Sequence, residues 1–180
     1  LGDTHAGFRV LGTNSDYYTH LQFGDRQHLS LGKGEWFEGT RGAVLGAEVA
    51  DKLGLRVGSS IVVSHGSGEI SFVDHDSHPF TVTGVLERTG TPVDRTVHVS
   101  LGGIDAIHSE FDMGESRRHD PLAEHLGLTD ESQLEEGEST SISAMFLGLQ
   151  SRRDVLTVQR TLNDYPDEPL SAVIPAAALQ

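Results

Sequence analysis

The 180-residue sequence contains no cysteine, which removes disulfides and thiolate metal ligation together. That absence suits a periplasmic and a cytosolic protein equally. Basic residues are scarce: 13 Lys and Arg stand against 27 Asp and Glu, a formal net charge of -14. Such a balance repels phosphate, so nucleic acid and anionic lipid are disfavoured as partners, while a cation or a metal is not. No run of 18 apolar residues occurs, so nothing in the chain reads as a membrane span. The first residue is Leu1 rather than Met, as expected of a piece of something longer or of a processed chain. What is present is ordinary globular material, 36% hydrophobic and 22% charged residues, enough for one domain or for a domain with a small second lobe.

Local patterns divide the chain. Residues 6–12, "AGFRVLG", read as a short strand, and the following segment as a short helix with Thr13 or Asn14 at its N-cap and two tyrosines on it. In "AVLGAEVADKLGLRVGSSIVVSH" a strand breaks at Gly46, and Val49, Ala50 and Leu53 recur at helical spacing. Gly54 stands where a helix end needs positive φ, Gly58 makes a turn, and a strand follows through Ile61 and Val63. "PFTVTGVLE" alternates Phe80, Val82, Gly84 and Leu86 as a half-buried antiparallel strand would. "RTGTPVDR" is a turn and "TVHVSL" a strand; "GGIDAIHSEF" is a helix with Ile104 and Ile107 inward. Residues 112–138 are polar and acidic, with one short helical pattern around Leu122, His125 and Leu126, and read as an exposed excursion. The C-terminal stretch reads strand ("STSISAMFLGL"), helix capped by Ser151, strand ("PLSAVIP"). The fold class implied is α+β.

The densest chemistry lies in "SHGSGEISFVDHDSHPF", residues 64–80. Zinc needs three or four converging nitrogen or carboxylate ligands. Asp74, His75, Asp76 and His78 offer them, and His65 lies across the expected hairpin. The spacing matches no specific metal motif, so a zinc site and a solvated hairpin both stand open. Ser67 in "HGSG" lacks the strand-to-helix context of a nucleophile elbow. "GKGEW" and "GTRG" have neither phosphate-loop nor dinucleotide spacing. His98 alternates out of phase with Val97 and Val99, and reads with His108, His119 and His125 as a surface or capping histidine. No catalytic constellation emerges, and the chain is not expected to be an enzyme.

The succession "RVLGTNSDYYTHLQFGDRQHLSLGKGEWF", "AVLGAEVADKLGLRVGSSIVV" and "HPFTVTGVLERTGTPVDRTVHVSL" resembles the extracytoplasmic core domain of MacB and FtsX-like ABC transporter permeases, most strongly over residues 42–63 and 79–101. The resemblance implies a two-lobed periplasmic domain of an inner-membrane protein. Residues 13–138 would be an inserted variable, Sabre-like lobe, and 1–12 with 139–180 part of a membrane-proximal porter-like lobe of βαβ type. It further implies no ATPase chemistry of its own, a dimeric parent permease, a cytoplasmic ATPase partner reached through membrane segments, and contact with a substrate or a periplasmic protein; no cofactor is expected beyond a possible zinc. The alternative is a zinc-binding or metal-sensing module built on His65, Asp74, His75, Asp76 and His78.

Overall fold

The structure, a computed structural model, describes residues 2–65, 73–74, 79–108 and 142–174. The chain forms two compact units, Leu1–Ser141 and Ile142–Gln180.

The first unit is built on a mixed sheet. Its strands are β1 (Asp3–His5), β2 (Phe8–Thr13), β5 (Leu31–Gly34), β6 (Gly42–Leu45), β7 (Ser60–Ile61), β8 (Ser64–His65), β9 (Val73–Asp74), β10 (Phe80–Leu86) and β11 (Thr96–Ser100). They run in the order β5-β10-β6-β11-β2-β1-β8-β9, with β7 pairing β10; a separate ribbon joins β3 (Gln22–Phe23) to β4 (Gln27–His28). Helix α1 (Ser15–His20) follows β2, α2 (Ala47–Leu53) follows β6, and α3 spans 101–108 after β11.

The local expectations hold where short-range chemistry dictates them. Asn14 is the N-cap residue of α1. Gly46 separates β6 from α2, and Gly54 ends that helix in the left-handed region at φ 65°, where a glycine avoids the clash of a side chain with its own backbone. Gly46 is required for a different reason: a Cβ there would lie 2.3 Å from the Val93 carbonyl oxygen and 2.5 Å from Asp94 backbone atoms. The turn it touches is a 3-10 turn over Pro92–Arg95, tied by Asp94. The buried Asp94 carboxylate accepts hydrogen bonds from the Thr89 N–H (2.8 Å), the Thr89 hydroxyl (2.9 Å) and the Gly90 N–H (2.8 Å). It is the carboxylate that is buried, and these three donors are what satisfy it there.

Strand β10 departs from expectation in one respect. It alternates buried and less buried residues and is antiparallel to β5 and β7, as expected, but it runs parallel to β6. The α2 crossover lies between β6 and β10 in the chain and permits the parallel pairing. Phe80 and Val82 join Ala43, Leu45, Val49, Ile61, Val97, Val99 and Ile107 in the core, and beyond a register shift at Val82–Gly84 it is Val85 that packs against them. Ile107 is fully buried and Ile104 packs beside it, as the helical spacing of 102–111 anticipates.

The second unit contains a 3-10 turn over Arg152–Asp154 and α4 (Val155–Asn163). Ser151 caps the turn, its hydroxyl accepting from the Arg153 N–H at 3.2 Å. The strands expected on either side do not form: 142–149 and 169–174 carry no regular structure. Alternating apolar residues favour a strand only where another strand takes up the backbone groups, and among the described residues no strand pairs with these segments. The 112–138 excursion lies outside the described residues.

Candidate functional site

The sequence directs attention to the histidine loop. His65 sits in β8 and Asp74 in β9, and the two strands pair antiparallel as a hairpin. The register sets Ser64 opposite Asp74 and His65 opposite Val73, so His65 and Asp74 occupy successive ladder positions rather than facing ones. His75, Asp76 and His78, like Ser67, His119 and His125, lie outside the described residues. Across β1 the register places Asp3 opposite His65, and the Asp3 carboxylate lies 3.3 Å from His108 Nε2 on α3. That meeting of the N-terminal strand with a distant helix has no local signature in the sequence. Nearby, His5 Nδ1 is 2.7 Å from the Val62 carbonyl oxygen. Among the described residues no three His, Asp or Glu side chains converge as metal ligands.

The structure brings together a second group that periodicity misjudges. His98 does lie on the face of β11 opposite Val97 and Val99, as the alternation implies, but that face is covered too. The residue is completely buried. Its register partners are Val44 on β6 and Leu11 on β2, and the rings of Tyr17 and Tyr18 from α1 lie over it, with centroids 5.8 and 5.9 Å away. Tyr18 is in turn stacked on Trp36 (4.1 Å) and edge-on to Phe37. A sheet strand alternating valine with histidine therefore has an apolar core on one side and an aromatic cluster on the other.

The electrostatics of this cluster follow from its dryness. His98 Nδ1 is 3.3 Å from the Val44 carbonyl oxygen, a pairing that needs the hydrogen on Nδ1. Nε2 is then the lone-pair nitrogen, and it is buried without a hydrogen-bond partner, as is the Tyr18 hydroxyl. Burial pushes the His98 pKa down to about 4, only partly offset by the Val44 contact. Burial likewise pushes both tyrosines up, with Tyr17 reinforcing the effect on Tyr18. A neutral imidazole sealed under two tyrosines meets no nucleophile and no substrate, so the cluster is unsuited to general acid–base work at the surface. The glycines support the same conclusion: Gly46 and Gly84 would each put a Cβ within about 2.5 Å of backbone atoms, which marks them as close-approach positions of the fold.

Fold and sites together define an α+β module with a mixed, curled sheet and no catalytic constellation among its described residues. The chain belongs to the family of MacB-like periplasmic core domains, whose family model matches residues 2–164. It is thus of the extracytoplasmic class of domains in ABC transporter permeases, a family of transporter domains rather than of enzymes. No curated protein matches the chain. None of the described helices is long and apolar enough to cross a membrane.

Proposed function

We propose that the domain couples ATP hydrolysis by a cytoplasmic ATPase to transport, or to the state of a periplasmic partner, by moving as a mechanical element of a dimeric permease. The observation that supports this most is the match to the periplasmic core family over residues 2–164. The build of the first unit is in keeping with it. A close-packed sheet core transmits displacement instead of absorbing it, and the turn at Gly46, Asp94 and Thr96 ties α2 to the start of β11 through the Gly46 N–H to Thr96 carbonyl hydrogen bond of 2.9 Å.

The domain itself contributes no cysteine that would compete with introduced labels. In the full permease with its ATPase, spin labels at Val57→Cys and Leu156→Cys, both exposed and one in each unit, should report a change of separation between ATP-bound and ADP-bound states. An identical distance distribution in both states would refute mechanical coupling through this domain.

A second reading is zinc binding at the 64–74 hairpin by His65, Asp74, His75, Asp76 and His78. The observation that favours it is the antiparallel closure of β8 on β9, which brings the two ends of the histidine loop side by side. Titration of metal-stripped protein with zinc at neutral pH tests it. Binding lost in a His75→Ala, His78→Ala double variant supports the reading, and absence of binding ends it.

A further inference from the structure

The aromatic cluster over His98 contains an internal contradiction: a titratable ring is completely buried, and its one basic nitrogen has no hydrogen-bond partner. At neutral pH this is tolerable, because the lone pair of an uncharged imidazole costs little compared with a buried charge. In acid it is not. The incoming proton must land on Nε2, since Nδ1 is committed to the Val44 carbonyl. The resulting N–H points into a space that offers no acceptor already in place.

Which element would yield is set by how each is held. Strand β11 is laddered on both sides, to β2 and to β6. Helix α1 has six residues and its N-cap Asn14 makes no side-chain cap hydrogen bond; a helix so short does not stand alone in water. It is kept in place by the rings of Tyr17 and Tyr18 against His98, Trp36 and Phe37. The tyrosine faces offer a protonated imidazole a weak cation–π attraction, less than the hydration it has given up. Other groups facing His98 are uncharged: the Val44 carbonyl on β6 and Leu11 on β2. Arg9 on β2, Asp16 and His20 on α1, and Glu35, Glu38 and Arg41 in the segment around Trp36 are all exposed to solvent, and none of them contributes to the His98 titration.

We infer that α1 is an acid-released latch: protonation of His98 at Nε2 drives the imidazole out of the cluster and frees α1 with Tyr17 and Tyr18, uncovering the outer face of β2, β6 and β11 while the sheet itself persists. In a domain exposed to the extracytoplasmic medium, such a latch would present a new apolar surface in acid and withdraw it at neutral pH.

The chain carries its own reporter, since Trp36 is its single tryptophan and is stacked on Tyr18. The experiment follows Trp36 fluorescence of the unmodified 180-residue protein from about pH 7.5 to about pH 3.5, the range that spans an ordinary and a strongly depressed histidine. Hydrogen exchange of the β6, β10 and β11 amides is read in parallel. The expected result is a red shift of Trp36 emission on the acid side of the ordinary histidine range, with sheet amides still protected, and no such shift in His98→Gln. If His98→Gln does not fold, the imidazole nitrogen NMR signals of the unmodified protein decide: His98 should titrate together with the amides of α1. An emission change of the same size and midpoint in His98→Gln, a His98 that titrates without any change at α1, or simultaneous loss of α1 and sheet protection would each overturn the latch.

Discussion

His98 illustrates how one side chain sets a pH dependence. Its neutral form is favoured in the folded protein because burial lowers its pKa from 6.5 to about 4. As pH falls, the unfolded chain takes up the proton first, so stability is present above the ordinary histidine pKa and is lost progressively between pH 6.5 and about 4. The loss at full protonation should be ~3 kcal/mol at most, and less where α1 opens locally. Urea denaturation at a series of pH values checks it, with His98→Gln expected to flatten the slope. Asp94 gives a different outcome. Asp94→Ala would remove the buried acceptor of two backbone N–H groups and a hydroxyl that hold the turn, and should cost ~1–3 kcal/mol in the same assay. By contrast Glu48, whose carboxyl the Lys52 hydrogen bond holds below the ordinary range, makes its ion pairs at the surface with Lys52 and Arg95. Such pairs contribute little, so Glu48→Gln should leave the unfolding midpoint nearly unmoved.

Helices and turns depend on their punctuation. Gly46→Val would drive a branched side chain into the backbone of the Pro92–Arg95 turn, so β6, α2 and β11 could not keep their present junction. A loss of at least ~3 kcal/mol, or failure to fold, is expected by circular dichroism and denaturant titration. Gly54 is a milder case: a Cβ there would meet nothing within 4 Å, so Gly54→Ala should cost only the left-handed conformation, ~1 kcal/mol. Ser151→Ala removes the cap of the turn before α4 and should lower the helicity of the second unit, by ~1 kcal/mol of local stability.

For the molecule as a whole, the family match and the charge of -14 set the class of domain and the kind of partner its surface disfavours. On the proposed reading the module acts through surfaces and movement, so the informative measurements are distances in the working permease and binding at the hairpin. His75→Ala alone should leave metal-free stability nearly unchanged if the loop is a solvated connection; a large loss without metal, seen by thermal unfolding, would contradict that picture.

Much of the fold was legible in the residues because it is local. The β6, Gly46, α2, Gly54 succession is written in a glycine, a helical run and a second glycine, each acting on its immediate neighbours. The cap at Ser151 and the inward Ile104 and Ile107 are of the same kind. The direction of β10 was not legible, since alternation at Phe80, Val82 and Leu86 is the same whether its neighbour runs parallel or antiparallel. Nor were the missing strands at 142–149 and 169–174, because apolar alternation cannot say whether a pairing edge exists. His98 and the Asp3 contact with His108 show the same limit from the side of the candidate sites. Alternation correctly sets His98 opposite its valines, yet whether that opposite face meets water or two tyrosines depends on a helix contributed by residues far earlier in the chain. Chain-local chemistry determines where elements start, stop and turn; which groups are deprived of water, and which distant residues share a site, is decided only when the elements pack, because desolvation is a property of the assembled interior and not of any segment alone.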